Sequence, residues 1–154
     1  MLEFRTEIDI DAPVERVWQV LMDFEAFREW NPFIRRISGK AEVGARLDVT
    51  IGASGTRGMR FRPKVMKVVP NREFRWLGRV GLPGLFDGEH IFELKPLSSI
   101  GTRFVQRERF RGIFVPFLAR SLDRDARRGF EEMTRALRAR ASRTAGVPGE
   151  IGKA

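Results

Sequence analysis

The sequence predicts an α+β fold in which a curved antiparallel sheet of seven strands wraps around one long C-terminal helix, with two short helices after the first strand. Three observations predict it. The run Phe117 to Ala141 sets Leu118, Leu122, Ala126, Phe130, Met133, Leu137 and Ala141 at four- and three-residue steps, which is one stripe of a helix of roughly 25 residues. At about 1.5 Å per residue such a helix is about 37 Å long and crosses a whole small domain. From Ile34 to Gly112 the pattern changes to period two, interrupted only by short turn sequences. Connections that short join antiparallel neighbours, and a helix with a single apolar stripe needs a concave partner, so the strands are expected to roll around it.

Taken in order, Glu3 to Ile10 alternate as a first strand with Phe4, Thr6, Ile8 and Ile10 on one face. Asp11-Ala12-Pro13 stops this strand and opens a helix: Asp11 or Ala12 serves as the cap, and Pro13 fits the first turn, where its missing N–H costs nothing. Val14, Val17, Trp18, Leu21 and Met22 follow at helical spacing. Phe24 to Trp30 reads as a second short helix, ended by Asn31-Pro32 because a residue before proline disfavours helical dihedrals. Further strands are expected at Ile34 to Ser38, Arg46 to Gly52, Gly58 to Val69, Glu73 to Val80, Leu85 to Leu97 and Thr102 to Gly112. Between them stand Gly39-Lys40 and Val43-Gly44, Ala53-Ser54-Gly55, Pro70-Asn71, Gly81 to Gly84, and Leu97 to Gly101. Val115-Pro116 leads into the long helix. Thr144 to Ala154 is small, contains Gly and Pro and lacks periodicity, so one domain over residues 1–143 and a flexible tail over 144–154 are expected.

Composition narrows the function. With no cysteine, disulfides and thiolate metal sites are excluded, and a single histidine makes a zinc or non-haem iron centre improbable; no metal and no cofactor are expected. No apolar stretch approaches the ~18 residues of a membrane span. The amino terminus MLEFRTEIDI alternates instead of placing a basic region before an apolar block, so a cytoplasmic location is expected. The net charge of +9 comes from 24 arginines and 5 lysines dispersed along the chain. That dispersal describes a solvated basic surface: nucleic acid is not expected as a partner, and peripheral contact with an anionic membrane is compatible with it. Phosphate-loop, dinucleotide-loop and nucleophile-elbow motifs are absent from the sequence.

The segments Ile8-Asp9-Ile10-Asp11-Ala12-Pro13 with Val17-Trp18, Trp30-Asn31-Pro32-Phe33, Phe74-Arg75-Trp76, His90-Ile91-Phe92-Glu93-Leu94 and Glu108-Arg109-Phe110-Arg111-Gly112 stand in an order that resembles the START-like helix-grip (SRPBCC) superfamily. The resemblance covers about residues 2–142 and is nearest to the bacterial, single-domain polyketide cyclase/dehydrase-like members. It implies a cavity between sheet and terminal helix. The superfamily also includes lipid-transfer domains and plant hormone-binding and pollen-allergen proteins, which differ in what lines that cavity, so the chemistry must be read from the lining.

In the hairpin Leu85 to Gly112, a connection around Ser98-Ser99-Ile100 predicts a register in which paired residue numbers sum to about 198. Leu94 then faces Phe104, Phe92 faces Gln106 and His90 faces Glu108 on the concave side, about 5 Å apart at Cβ. The opposite parity pairs Glu89 with Arg109 and Ile91 with Arg107, and carries Glu93, Arg103 and Arg111, so it faces outwards. An imidazole and a carboxylate among phenylalanines hold each other's proton and could orient or deprotonate a ligand carbonyl or hydroxyl, which makes His90 and Glu108 the candidate catalytic residues. Two blander readings stand beside this: the pair merely satisfies two polar groups near a pocket mouth, or the register slips by one and Glu108 is solvated.

The expected ligand-binding residues are Trp30, Phe33, Phe61, Trp76, Leu82, Phe86, His90, Phe92, Gln106, Glu108, Phe110, Leu118 and Leu122. Most of the aromatic ones also read as plain core. Gly81 to Phe86 exposes apolar residues in a glycine-flanked loop and reads as a lid over the cavity mouth, or else as a tight turn or a dimer contact. The function expected is binding of a hydrophobic or amphipathic small molecule, a lipid, polyketide or isoprenoid-like compound, by a monomer or homodimer. The alternatives are a cofactor-free cyclase, aromatase or dehydratase using His90 and Glu108, and an interaction module with a basic surface.

Overall fold

The computed structural model describes residues 1–145, the side chains of Leu122 and of residues 143–145 excepted. Its elements are β1 (Leu2–Ile10), α1 (Val14–Met22), a 3-10 turn (Phe24–Ala26), α2 (Phe27–Trp30), β2 (Ile34–Ser38), β3 (Asp48–Ile51), β4 (Met59–Phe61), β5 (Lys64–Val69), β6 (Glu73–Val80), β7 (Phe86–Ser98), β8 (Gly101–Arg111) and α3 (Val115–Ala145). The expected tail boundary moves, since α3 runs to Ala145, and residues 146–154 lie outside the described residues.

The strands are antiparallel and number eight instead of seven among the described residues, in two sheets ordered β1-β8-β7-β6-β5 and β2-β3-β4. The strand expected over Gly58 to Val69 breaks at Arg62-Pro63. Proline has no N–H to give to a ladder and its fixed φ turns the chain, so β4 stays with the small sheet and β5 joins the large one. The break is also the seam between the sheets. The Pro63 carbonyl accepts the Leu47 N–H at 2.9 Å, Val65 donates to the Ala45 carbonyl at 2.9 Å, and Arg46 bridges Lys64. The expected start of β3 at Arg46 is used there and leaves only four residues in the strand itself.

At the start of α1, Pro13 occupies the cap position and no side chain caps the helix; its carbonyl accepts the N–H groups of Arg16 and Val17. Neither Asp11 nor Ala12 serves, contrary to the expectation.

The stripe on α3 divides into two parts. Phe130, Met133, Leu137 and Ala141 are fully buried against the concave sheet, whereas Phe117 is 83% exposed and Leu118 is also exposed. The first turns of α3 therefore project past the packed core. On the sheet, Phe74, Trp76, Phe92 and Phe104 form one aromatic cluster, which shares the core with Leu94 and the buried stripe of α3.

The convex face is a lattice of opposite charges. The register sets the row Arg5, Arg107, Ile91, Arg75 between the rows Glu7, Val105, Glu93, Glu73 and Glu3, Arg109, Glu89, Leu77. Arg75 bonds Glu73 at 2.5 Å and Glu89 at 3.0 Å, and Arg107 pairs with Glu93. Ile91 and Val105 are buried although they point outwards, because the long arginine stems lie beside them.

One member of this lattice carries a pH signature. Burial raises the Glu73 carboxyl, but hydrogen bonds from Lys67 and Arg75 outweigh it, and the group titrates below its ordinary value of 4.5. A folded value below the unfolded one means that ionised Glu73 stabilises the fold above that ordinary value and loses its contribution as pH falls through the lowered one. Glu73→Gln is expected to cost about 0.5–1 kcal/mol at neutral pH. Urea titrations should show this difference shrinking as pH is lowered from 4.5; a difference independent of pH would refute the assignment.

Candidate functional site

The β7–β8 ladder pairs His90 with Glu108, Phe92 with Gln106 and Leu94 with Phe104, the register expected from the hairpin turn. His90 Nδ1 lies 2.8 Å from Glu108 Oε2, with the side chains 1% and 13% exposed. On the other side of the ring, Gln106 Nε2 lies 2.9 Å from His90 Nε2, the Gln106 carbonyl accepts from Thr134 Oγ1 at 3.4 Å, and Thr134 meets the Thr6 hydroxyl at 3.3 Å. With the Gln106 amide donating, His90 keeps its proton on Nδ1 and donates it to Glu108. Both ring nitrogens are then committed. The ring itself is enclosed by Phe92 at 4.4 Å, Trp76 at 5.1 Å and Phe130 at 5.2 Å between centroids.

Glu108 differs from its partner in having a free oxygen. Only Oε2 meets a partner within the described residues, while Oε1 lies over Gly88, where a Cβ would come within 2.9 Å of it. Glycine inside a strand weakens the strand, and here it supplies the room that the carboxylate occupies.

Glu108 borders a pocket of about 340 Å³ between the small sheet, the end of β8 and the first half of α3. Phe110 and Phe33 form walls, Leu118, Ala126 and Phe130 come from the helix, the β3–β4 loop contributes Ala53, Thr56 and Gly58, and β4 contributes Met59. That loop is pinned to the body. Arg35 Nη2 donates to the carbonyls of Ala53 and Thr56 at 2.8 and 2.9 Å, Arg128 donates to the Ser54 carbonyl at 2.8 Å, and Glu132 accepts the Ser54 N–H and hydroxyl. A larger groove of about 590 Å³ on the outer face of the small sheet is bordered by Arg28, Arg36, Glu25 and the Asp48–Arg60 ion pair. Its walls are largely charged and polar, whereas those of the pocket beside α3 are largely apolar.

Of the expected binding residues, Phe33, Glu108, Phe110 and Leu118 come together at the pocket. His90, Gln106, Trp76 and Phe92 do not line it: they are fully buried beneath it, filling the space between sheet and helix that the sequence reading left open. Phe61 covers Gly78 on β6, and Phe86 packs on Phe110 at 5.4 Å. Leu82 is exposed on the β6–β7 loop. Trp30 packs on Phe27 at 5.1 Å and borders a separate cleft with Arg16 and Arg140, towards the far end of α3. The Leu122 side chain lies outside the described residues.

The base of the expected lid is tied to the chain ahead of α3, while Leu82 at its tip is exposed. Ile113 and Phe114 donate to the carbonyls of Gly84 and Leu85, and Gly112, at φ +133°, lets the chains approach so closely that a Cβ would stand 2.3 Å from the Leu85 carbonyl oxygen. Sequence reasoning missed the β3–β4 loop, which reads as a mere turn, and missed Ser121 and Asp125, which lie beside the apolar stripe of α3 and not on it. The glycines at both ends of the loop, Gly52 and Gly58, were the available signal: a Cβ at Gly52 would come within 2.6 Å of the Gly58 Cα.

A rolled sheet closed by a long helix, with a small apolar pocket beside the helix, defines a START-like helix-grip protein. Residues 1–141 match the family described as polyketide cyclase / dehydrase and lipid transport, and the chain belongs to that family. No curated protein matches the sequence. Among solved structures it is similar to the ZhuI aromatase/cyclase from Streptomyces sp. R1128, with a TM-score of 0.78 and 16% identity over 97% of this chain and 99% of that one. It is also similar to a START superfamily protein from Mycobacterium smegmatis, at 0.68 and 20% over 92% and 98%. The Aha1 dimer from Colwellia psychrerythraea follows at 0.67 and 20% over 92% and 97%. At these identities the likeness shows the fold. Among the described residues no helix is long and apolar enough to cross a membrane, and no group of three or more His, Cys, Asp or Glu side chains could hold a metal ion.

Proposed function

We propose that this protein binds a hydrophobic or amphipathic small molecule in the pocket beside the first half of α3, with Glu108 orienting its polar end. The observation that carries the reading is an apolar pocket of about 340 Å³ bordered by Glu108, a largely buried carboxylate whose Oε2 is held by His90. Small-molecule sites span about 300–1,000 Å³, so this one suits a compound of one or two rings or a short chain, polyketide- or isoprenoid-like or a fragment of a lipid. A ligand hiding about 200 Å² of apolar surface would gain on the order of 5 kcal/mol before its entropy costs.

The test is mass spectrometry of the purified protein under native and then denaturing conditions, followed by the variant Ala126→Trp, which fills the pocket from the helix. A hydrophobic compound bound to the wild type and lost in Ala126→Trp is the expected result. A variant that folds and retains the compound would refute the pocket as the site.

A second reading, a cofactor-free cyclase or dehydratase, is favoured by the His90–Glu108 pair. Glu108 borders the pocket and could take a proton from an enol or hydroxyl, while His90 behind it holds the carboxylate in place and compensates its changing charge. Under that reading Glu108→Gln abolishes turnover of a polyketone while leaving its affinity within a few fold.

A further inference from the structure

We infer that the pocket selects apolar molecules whose polar end donates a hydrogen bond, an alcohol, phenol or protonated amine, and excludes those ending in a carboxylate, sulfonate or phosphate; this rests on the ligand-binding reading above. The chain carries 29 lysines and arginines and a net charge of +9, yet among the described residues no lysine or arginine lines the pocket. Its ionisable lining is Glu108 and Asp125, both acidic. A basic protein with an acidic pocket draws its selectivity from the pocket, because exposed charges are screened within a Debye length and enclosed ones much less.

The hydrogen bonding gives the same sign. Glu108 Oε2 is taken by His90, and Oε1 has no donor among the described residues. An ionised carboxylate oxygen is a strong acceptor, so a ligand O–H or N–H group gains a charge-assisted hydrogen bond there. A ligand carboxylate would instead set like charges together beside Glu108. The nearest cation, Arg35, stands against Gly58 of the lining, its Nη1 3.0 Å from where a Cβ of that glycine would be. The Thr56 hydroxyl is spent on the Ala53 carbonyl at 2.7 Å, and Arg35 spends its Nη2 on backbone carbonyls of the loop. Asp125 is paired with the exposed Arg124 at 3.2 Å, which places the burden of selection on Glu108.

The wiring behind Glu108 keeps it an acceptor. His90 reaches it with Nδ1 while Gln106 engages Nε2, so the imidazole donates towards the carboxylate and cannot turn to offer a donor to the pocket. His90 and Gln106 are thus positioning residues, and Glu108 is the residue that meets the ligand.

The experiment measures calorimetric affinities at neutral pH for two matched pairs: 2-naphthol with 2-naphthoate, and decan-1-ol with decanoate. Wherever a pair binds, the alcohol or phenol is expected to bind at least about tenfold more tightly than the acid. In Glu108→Gln, whose carboxamide can donate as well as accept, the preference should fall to within about twofold. An acid that binds as tightly as its partner, or a preference unchanged in a folded Glu108→Gln, overturns the inference while leaving the pocket reading standing. Failure of all four compounds to bind overturns both. The wild-type comparison needs no variant, so the test survives if Glu108→Gln does not fold.

Discussion

Trp76→Ala is expected to cost about 3–5 kcal/mol of folding stability, the largest loss of any single truncation considered. Trp76 is 1% exposed and touches Phe74, Phe92 and His90 at ring separations of 5.7, 5.5 and 5.1 Å. Removing the indole leaves a void that these neighbours, themselves held by the β6–β7 ladder and by Phe130, cannot close. A domain of this length should melt roughly 10 °C lower, read by circular dichroism and by urea titration. The same substitution separates two roles. If Trp76 were a ligand wall, its loss would weaken binding with little effect on stability, the opposite of what its burial requires.

Gly129→Ala is expected to destabilise by about 2 kcal/mol net, although alanine in a helix interior ordinarily gains about 1 kcal/mol over glycine. A Cβ at Gly129 would stand 2.2 Å from Phe33 Cδ2 and 3.0 Å from its Cγ. Phe33 is 5% exposed and packs edge-on to Phe130 at 5.4 Å, so its ring has to leave a filled site. Because Phe33 lines the pocket, the displaced ring should also reduce ligand affinity, by about tenfold if it costs one favourable contact surface. Thermal melts and the affinity of 2-naphthol check both effects together. A variant more stable than wild type would mean that Phe33 has somewhere to go.

Much of the fold was legible because its signals are local. Period-two alternation marks strands, the four- and three-residue steps of Phe130, Met133, Leu137 and Ala141 mark the buried stripe of a helix, and a short turn at Ser98 to Gly101 sets the register of the hairpin it closes. From that register the side-chain parity follows, and with it the pairing of His90 with Glu108 and the charged convex face. The split at Pro63 was legible in principle, since a proline inside a strand pattern argues against a central strand.

The site was legible only in part, because a cavity is a property of volumes that meet across the chain. His90 and Glu108 stand in one row of the sheet and are equivalent by sequence parity. The placement of α3 makes them different: Phe130 covers the ring of His90, while Glu108, one strand over, is left at the margin where the helix and the small sheet diverge. The same placement turns Trp76, Phe92 and Gln106 from expected ligand walls into core. It also brings the β3–β4 loop, some 50 residues before the hairpin partner Glu108, to the pocket mouth. Backbone periodicity and turn chemistry, carried by neighbours in the chain, thus sufficed for most strands and helices, the hairpin register and the pairing of His90 with Glu108. Which of these side chains faces empty space followed from the docking of one helix on two sheets, where close packing between distant residues fills most of the interior and leaves a hollow beside Glu108.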